Sequence, residues 1–449
     1  MQDLQRSKTI STRQQKIAAQ ARQAPEKSFT SLNHHLDIDW LHEAYKRTRK
    51  DGAVGIDQMT AAEYAENLEA NLQDLLNRAK SGRYWAPPVR RVHIPKGDDG
   101  SKTRPIGIPA FEDKILQRAV AMILEPIYEQ DFLDCSYGFR PRRSAHQALD
   151  TAWKKLMEIG GGWVIEVDIK SYYDVLDKAQ LREFLHRRVR DGVLVRLIGK
   201  WLNAGVWEDG QTFYPESGTP QGGVVSPILS NIYLHEVMDT WFERDVRPRM
   251  KGPSFMIRFA DDILLGFARE DDARRVMDVL PKRFGKYGLT LHPEKTRMLD
   301  FRRPGSSPGP GGPNEPSSPA YDLLGFTHYW GKSLKGNWVV KRKTAKGRFN
   351  RAVRTIAQWC RFNRHRPVKD QWQTLCRKLD GHFGYYGITG NSEALQRFRH
   401  AAGKRWQYWL GRRSQKAKTS WEWFKGLEKR YPLPPPIAKH SILRRAANP

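Results

Sequence analysis

The segment FMIRFADDILLGF, residues 255–267, interrupts an apolar run with two adjacent acids, Asp261 and Asp262. The apolar residues on either side predict two β-strands joined by a tight turn that holds both acids. Aspartate is common in turns, so an exposed hairpin turn is one interpretation. A second interpretation is that bound cations neutralise the repulsion between the two carboxylates, which would otherwise be costly next to a hydrophobic core.

A third acid occupies a comparable position earlier in the chain. The segment GWVIEVDIKSYYDVL, residues 162–176, predicts a strand that ends at Asp168, followed by a turn into a helix. Two strand ends that each present carboxylates can lie side by side in one sheet. Oxygen ligands of this kind bind hard divalent cations, and two such ions about 4 Å apart can stabilise both oxygens of a phosphoryl transfer.

Positive charge is concentrated at one end of the chain. Residues 321–449 contain 29 of the 77 Lys and Arg residues but only 6 of the 49 Asp and Glu residues. The same segment contains eight of the 15 tryptophans. Such a field attracts phosphate backbones, and interleaved aromatic residues suit stacking on bases. The alternative is a basic surface that only keeps the protein in solution.

Local patterns divide the 449 residues into four parts. Residues 1–39 predict a polar N-terminal arm with helical tendency and few core residues. Residues 40–301 alternate helical and strand patterns, including two helices in 37–85, a hairpin around the GDDG turn in 88–109, and a helix from Phe111 to about Glu129. Residues 302–320 are rich in Pro, Gly and Ser and predict a linker or insertion, and 321–449 predict basic helices.

Several classes of protein are disfavoured by composition. No apolar run approaches the ~20 residues of a membrane span, and the N-terminus has no secretory apolar region. The three cysteines, Cys135, Cys360 and Cys376, are too scattered for a disulfide framework or zinc module. We therefore expect a cytoplasmic location and no membrane partner.

Eight segments resemble, in order, motifs of the reverse transcriptases encoded by bacterial group II introns. They are GAVGIDQMT (52–60), KTRPIGIP (102–109), SYGFRPRRSAHQAL (136–149), DIKSYYD (168–174), SGTPQGGVVSPILSNIYL (217–234), RFADDILL (258–265), LHPEKT (291–296) and DGHFGYYGITGN (380–391). The resemblance implies an α+β right-handed polymerase whose fingers and palm, with an antiparallel palm sheet, precede a helical, basic thumb or maturase (X) domain. It also implies a bacterial cytoplasm as the location.

The resemblance assigns catalysis and metal binding to the acids. Asp168, Asp261 and Asp262 match the three metal-binding acids of the family, with Asp168 and Asp261 the stronger candidates for direct ligands. The backbone carbonyl of Ile169 is a further expected ligand. The implied cofactor is Mg²⁺, with Mn²⁺ as a substitute. Asp174 is a weaker match with an alternative structural role.

Other matched residues imply a nucleotide site. Tyr173 resembles the aromatic residue that abuts the nucleotide sugar and excludes a 2′-hydroxyl; the alternative is a packed core tyrosine. Gln221 matches a residue that touches the incoming nucleotide or the template, and Arg104 resembles the residue that stacks on the incoming base. Lys96 is a weaker candidate for a phosphate ligand, and Lys102 could take that role instead. Lys295 resembles a late palm lysine, with a solvated lysine as the alternative.

The remaining matches concern the template and primer. Pro220, Gly222 and Gly223 let the backbone approach the base pair closely. Phe259 stands where the family usually has Tyr, so the aromatic platform is kept without the hydroxyl. The chain also contains no Cys-x-x-Cys, so we expect no HNH endonuclease.

The implied function is RNA-directed DNA synthesis from a DNA primer on an RNA template, with dNTPs as substrates. A second implied role is binding of structured intron RNA to assist splicing and mobility. Two alternatives stay open at this point. One is a maturase that acts mainly as an RNA-binding splicing factor, and the other is an intron-free reverse transcriptase that serves the host in defence or repair.

Overall fold

The computed structural model describes residues 2–96, 102–219, 221–305, 319–414 and 419–440. These residues form two compact units. The first contains the described residues of Met1–Lys96, Ser101–Lys155 and Gly162–Met298, and the second those of Leu156–Gly161 and Leu299–Pro449. Helices occur together with antiparallel strands, which confirms the predicted mixed α and β class.

The elements up to residue 300 alternate between helices and short strands. The helices are α1 (Gln2–Gln23), α2 (Ile38–Arg47), α3 (Ala61–Glu66), α4 (Leu68–Ser81), α5 (Phe111–Asp131), α6 (Ala145–Glu158), α7 (Tyr172–Val175), α8 (Lys178–Arg188), α9 (Gly192–Leu202), α10 (Ser226–Leu234) and α11 (Glu270–Gly285). The strands are β1 (Val89–Lys96), β2 (Lys102–Ile108), β3 (Trp163–Val167), β4 (Val206–Glu208), β5 (Gln211–Phe213), β6 (Ser254–Phe259), β7 (Asp262–Phe267) and β8 (Arg297–Asp300).

Two four-stranded sheets organise these elements. One has the order β2-β1-β4-β5, in which β1 pairs antiparallel with β2 and parallel with β4. The other has the order β6-β7-β3-β8, in which β7 pairs antiparallel with both β6 and β3. The predicted hairpin in 88–109 is therefore present as β1 and β2, while its GDDG turn lies outside the described residues.

The long helix α5 forms the centre of the first unit's core, and its length agrees closely with the predicted helix. Ile115, Leu116, Ile123 and Leu124 on this helix are fully buried. The indole N–H of Trp40 donates to the carbonyl of Ala119, at 2.9 Å, which ties α2 to the same helix.

The N-terminal segment contributes more residues to the hydrophobic core than its polar composition suggests. Ile10, Ile17 and Ala21 are fully buried, and their spacing of seven and four residues places them on one face of α1. The side chain of Gln14 donates to the carbonyl of Met122, at 2.9 Å. Helix α1 therefore packs on α5 as part of the first unit, whereas its polar sequence predicts an arm with few core residues.

A buried acid lies in the same core. Asp113 is 2% exposed and accepts a hydrogen bond from the Tyr84 hydroxyl, which in turn accepts one from the Trp201 indole at 2.8 Å. Burial raises the pKa of Asp113 to about 8, because the carboxylate form loses its hydration. The folded protein therefore keeps this proton at pH values where the unfolded chain, with a pKa of about 3.9, releases it.

This difference predicts a pH dependence of stability. Between about pH 4 and 8 the folded state binds more protons at Asp113, so this residue lowers the free energy of unfolding as the pH rises. The slope reaches about 1.4 kcal/mol per pH unit within that window. Because asparagine does not titrate, Asp113→Asn should lose less stability between pH 5 and 8. Urea unfolding midpoints of both proteins at these pH values test this; equal losses would contradict it.

The second unit contains strands that were not predicted. Three antiparallel strands, in the order β11-β10-β9, precede its helices. The elements are β9 (Tyr321–Leu323), β10 (Phe326–Lys332), β11 (Trp338–Thr344), α12 (Lys346–Asn363), α13 (Val368–Tyr386), α14 (Ser392–Leu410) and α15 (Trp421–Arg430). The prediction of basic helices after residue 320 was therefore wrong for 321–344, where buried residues such as His328 and Val340 alternate with more exposed ones.

Tryptophans contribute to the core of this unit as well as to its surface. Trp406 is fully buried, and its indole N–H donates to the side-chain oxygen of Gln371 at 3.0 Å. Leu379 and Phe398 belong to the same buried cluster. Across the described ranges of the chain, no helix is both long and apolar enough to cross a membrane.

Candidate active site

The three predicted acids lie at the same end of two adjacent strands. Strands β3 and β7 are paired through Val167 and Ile263, and Asp168 and Asp262 are the next residues beyond that pair. Asp261 precedes Asp262 in the turn between β6 and β7. Asp168 and Asp261 are half-buried and Asp262 is exposed. The sheet therefore brings together acids that are more than 90 residues apart in sequence.

The turn differs in one detail from the prediction. Phe259 pairs with Asp262, so the two turn residues are Ala260 and Asp261 rather than the two acids. Asp262 is the first residue of β7. Ala260 has a φ of 56°, in the left-handed region that residues with a β-carbon rarely adopt. Successive side chains of a strand alternate between faces, so placing Asp262 in the strand fixes the direction of its carboxylate.

Lys295 contacts the first acid directly. Its ammonium nitrogen lies 3.2 Å and 3.3 Å from the two carboxylate oxygens of Asp168. The backbone N–H of His292 donates to the Asp168 carbonyl at 2.8 Å, so the LHPEKT segment is held against the end of β3. The structure thus places Lys295 against Asp168, and its role in dNTP binding stays a prediction.

The carbonyl of Ile169 is directed away from this segment. Ile169 forms a bridge with Leu291, flanked by hydrogen bonds from Lys170 to Thr290 at 2.9 Å and from His292 to Asp168 at 2.8 Å. In this antiparallel pattern, the N–H and C=O of the central residue point to the opposite side. The carbonyl of Ile169 is therefore not used by the LHPEKT segment.

The donor set at this sheet end consists of oxygen atoms, which is the chemistry that hard divalent cations prefer. In the described part of the chain, no three His, Cys, Asp or Glu side chains are grouped closely enough to hold a metal ion as they stand. The Lys295 ammonium supplies the positive charge against Asp168.

Tyr173 lies beside the SGTPQGG segment, residues 217–223. Its carbonyl accepts a hydrogen bond from the N–H of Thr219 at 2.8 Å. Burial raises the pKa of the Tyr173 hydroxyl; the negative charge of Asp261 adds to this rise, and the positive charge of Arg104 opposes it. Asp261 and Arg104 therefore each lie within electrostatic reach of the Tyr173 hydroxyl.

A cavity of about 330 Å³ opens next to Tyr173. Its lining includes Tyr173, Asp174, Gln221, Arg91 and Lys178. Two basic residues and one acidic residue therefore line this space together with Tyr173. The cavity is thus lined by the DIKSYYD and SGTPQGG segments together with residues of β1, β2 and β4.

Two glycines of the SGTPQGG segment allow its backbone to lie close to the backbone of other segments of this protein. Gly218 has a φ of 87°, and a β-carbon there would lie 2.7 Å from the Tyr173 carbonyl oxygen. Gly222 has a φ of 119°, and a β-carbon there would lie 2.4 Å from the Gly107 carbonyl oxygen. The backbone N–H of Gly107 also donates to the Gln221 carbonyl at 2.7 Å. Gly222 is therefore required for packing on β2, independently of any template contact.

The other predicted contact residues fall into different environments. Gly222 is exposed and Gly223 is buried, while Pro220 lies outside the described residues. Arg104 is exposed on β2, opposite Ile94. Lys96 and Lys102 form the last pair of the β1–β2 hairpin, and their side chains lie outside the described residues.

Phe259 contacts a second aromatic ring. Its ring centroid lies 6.4 Å from that of Phe139, which is 57% exposed. Phe139 belongs to the SYGFRP segment and, like Ala260, has a positive φ, of 56°. Two aromatic rings therefore stand beside the acidic turn.

Sequence reasoning missed one charged residue of the site. Arg258 lies in the middle of the opening segment and is fully buried. It forms an ion pair with the equally buried Asp239, at 2.6 Å. The available signal was a single arginine within the apolar run FMIRF, but its partners at positions 136, 231 and 239 are too distant in sequence for any local pattern to reveal.

Comparison with known proteins agrees with this geometry. Residues 94–328 match the family described as Reverse transcriptase (RNA-dependent DNA polymerase), and the chain belongs to this family. Reverse transcriptases generally use divalent metal ions, which is consistent with the acids at the ends of β3 and β7.

Three relatives show which members of this family the chain is similar to. The chain is 39% identical over 242 residues to Protein YkfC of Escherichia coli K12, covering 52% of this chain and 63% of that protein. It is 39% identical over 228 residues to the Group II intron-encoded protein LtrA of Lactococcus lactis, covering 50% and 37% respectively. It is 28% identical over 235 residues to Nuclear intron maturase 2, mitochondrial, of Arabidopsis thaliana, covering 43% and 30%.

These matches confirm the resemblance to group II intron-encoded reverse transcriptases and maturases. The chain spans from about a third to under two thirds of the length of these relatives.

Proposed function

We propose that this chain is an RNA-directed DNA polymerase of the group II intron type. The observation that carries the proposal is the position of Asp168, Asp261 and Asp262 at adjoining ends of β3 and β7. In this proposal, the first unit serves as fingers and palm, and the second serves as thumb and maturase domain. Primer extension with dNTPs on an RNA template tests it: DNA product is expected, and its absence with an intact, RNA-binding preparation would contradict the proposal.

The three carboxylates and the Ile169 carbonyl would hold two divalent ions. An all-oxygen donor set without His or Cys matches Mg²⁺, with Mn²⁺ as a substitute. Such ions, when bound, stabilise negative charge on the attacking and leaving oxygens of a phosphoryl transfer. Lys295 offsets the charge of Asp168 in the structure, and its flexible ammonium can turn to a phosphate when Asp168 binds a cation.

The cavity beside Tyr173 supports placing the sugar of an incoming dNTP against the Tyr173 ring. Tyr173 is held between Tyr172, whose ring centroid lies 5.3 Å away, and the backbone of Thr219. Gln221 lines the same cavity, and the exposed guanidinium of Arg104 is near enough to influence Tyr173. A dNTP placed here would have its sugar against the Tyr173 ring and its phosphates towards the acids and Arg104.

This arrangement predicts the effect of removing the ring. Tyr173→Ala should open space for a 2′-hydroxyl and lower the kcat/KM preference for dCTP over CTP by about 10²-fold. Tyr173→Phe is the matched control, because it keeps the ring and should keep the preference. Single-nucleotide extension with each substrate measures the ratio. An active Tyr173→Ala enzyme with unchanged preference would assign Tyr173 to packing alone.

The second unit supplies a surface suited to RNA. We define its basic-aromatic surface by the exposed residues Arg361, Phe362, Lys404, Arg405, Tyr408 and Arg412. A groove of about 650 Å³ is lined by four of them, all except Arg361 and Phe362. The Arg412 guanidinium lies 5.0 Å from the Tyr408 ring centroid, and Phe362 is 78% exposed. Cations beside exposed rings can bind phosphates and stack on bases at once.

This surface is the basis for the second proposed role, which is binding of structured intron RNA to assist splicing and mobility. The relatives described as a group II intron-encoded protein and an intron maturase support it. The polymerase and RNA-binding roles use different residues, so they can be removed separately by substitution.

A further inference from the structure

Every donor of the Arg258 guanidinium has a partner. Its Nε and Nη2 donate to the two carboxylate oxygens of Asp239, at 2.7 Å and 2.6 Å. Nη2 also donates to the Ser136 hydroxyl at 2.7 Å, and Nη1 donates to the Asn231 side-chain oxygen at 2.9 Å. The remaining bond, at 3.1 Å, runs from Nη1 to the carbonyl of Ala260. The five N–H groups of an arginine are thus all used.

Stability alone does not account for this ion pair. Both side chains are fully buried, and the desolvation of two charges often exceeds or equals their mutual attraction. Apolar residues of similar volume can replace such a pair with little loss of stability. The arrangement therefore calls for a role beyond holding the core together.

The bond to Ala260 connects the guanidinium to the acidic turn. The Ala260 carbonyl belongs to the peptide group that leads into Asp261. Ala260 has a φ of 56°, a conformation that costs a residue with a β-carbon roughly 1–2 kcal/mol. Such a conformation persists only where the surrounding structure holds it in place.

A second set of contacts supports the same turn. A β-carbon on Gly138 would lie 2.3 Å from the Ala260 nitrogen, so Gly138 lies directly against the turn. The side-chain N–H₂ of Asn231 donates to the Gly138 carbonyl at 2.7 Å, while its oxygen accepts from Arg258. Asn231 thus joins the guanidinium to the segment that supports the turn.

We infer that Arg258 is a positioning residue for DNA synthesis, which orients the Ala260–Asp261 peptide so that the Asp261 carboxylate stays aligned with Asp168. Asp239 keeps the guanidinium charge neutralised within the core, and Ser136 and Asn231 fix its plane. This inference rests on the proposed role of Asp261 as a metal-binding acid. It adds to that role a buried network that touches neither the metal nor the substrate.

The test uses a double substitution, because a single one would leave an unpaired charge in the core. The substitutions Arg258→Met and Asp239→Leu replace the two charged side chains with apolar ones of similar volume, and they remove the bond to Ala260. The matched control is Arg188→Met with Asp131→Leu. Arg188 is also buried, pairs with Asp131 at 2.8 Å, and donates to the carbonyls of Ala21, Ala24 and Lys27 rather than to the turn.

Primer extension by the full chain should separate the two variants. For the Arg258/Asp239 variant we expect kcat to fall about 10²-fold, as for a displacement of a catalytic group by about 1 Å. The Mg²⁺ concentration for half-maximal activity should rise, while RNA affinity and the KM for the primer–template stay within about twofold of the unaltered chain. The control variant should keep both kcat and the Mg²⁺ requirement.

Other outcomes decide against the inference. A folded Arg258/Asp239 variant with unchanged kcat and Mg²⁺ requirement overturns it, as does an equal loss in the control. If the double variant does not fold, Arg258→Lys takes its place, because lysine keeps the charge beside Asp239 but not the five fixed donors. The Arg258→Lys enzyme should show the same rise in the Mg²⁺ concentration for half-maximal activity. An unchanged Mg²⁺ requirement in this enzyme overturns the inference. An active Asp261→Ala enzyme would instead refute the proposed function, so the two failures are distinguishable.

Discussion

Asp261→Ala combined with Asp262→Ala should reduce dNTP incorporation by about 10³-fold or more while leaving RNA affinity within about twofold. The reason is that both carboxylates stand at the end of β7 beside Asp168, where divalent ions would stabilise the charge of the transition state by several kcal/mol. RNA contacts a cationic surface elsewhere in the proposal, so it does not need these acids. Primer extension and filter binding on one preparation measure the two quantities.

A matched control lies on α11 of the same unit. Glu270 and Asp271 are also adjacent acids, but they stand in the first turn of that helix, where Asp271 pairs with Arg269 at 3.0 Å. Replacing both with alanine should have little effect on stability, because both acids are on the surface, and should leave extension intact. Near-normal extension by the Asp261/Asp262 variant would refute the metal-binding assignment, and an equal loss in the control would point to a general charge effect.

Substituting the four cations of the basic-aromatic surface should produce the second large effect. Replacing Arg361, Lys404, Arg405 and Arg412 with glutamine should reduce affinity for structured RNA by up to about 10³-fold at 0.15 M salt, if each cation neutralises one phosphate. The slope of log affinity against log salt should flatten by up to about 0.9 per lost duplex contact, or 0.7 on single strands. Splicing assistance should fall with affinity.

The control for this prediction uses cations of the first unit. Arg274, Arg275, Lys282 and Lys286 are exposed on or just after α11, and their replacement with glutamine removes the same amount of charge. Binding isotherms at several salt concentrations compare the two variants. A larger loss of slope in the α11 variant would place the RNA on the first unit and refute the proposed surface.

Local sequence patterns were sufficient for elements whose partners are near in the chain. The alternating residues of 88–109 predict a hairpin because β1 and β2 are adjacent in sequence and pair with each other. The apolar run of 255–267 predicts β6 and β7 for the same reason. The helical pattern from Phe111 also predicts α5, because it lies within one continuous stretch of the chain.

Patterns failed where distant partners decide the environment. Helix α1 is polar in composition, yet its stripe of Ile10 and Ile17 becomes part of the core because α5 covers it. In the strands of 321–344 the buried positions include the polar residues His328 and Arg342, so the alternation of buried and exposed positions does not coincide with an alternation of apolar and polar residues. In both cases the burial of a residue depends on what packs against it, and this is not a property of the local segment.

The sequence by itself determined the family, through ordered motifs, and the same resemblance predicts that Asp168, Asp261 and Asp262 bind metal. Only the tertiary structure decided how these acids are held. The pairing of β3 with β7 sets which residues are opposite each other, and the contact of Lys295 with Asp168 joins positions 127 residues apart. The bonds of Arg258 to Asp239, Asn231 and Ser136 likewise depend on three-dimensional packing, since hydrogen-bond partners are chosen by distance in space and not along the chain.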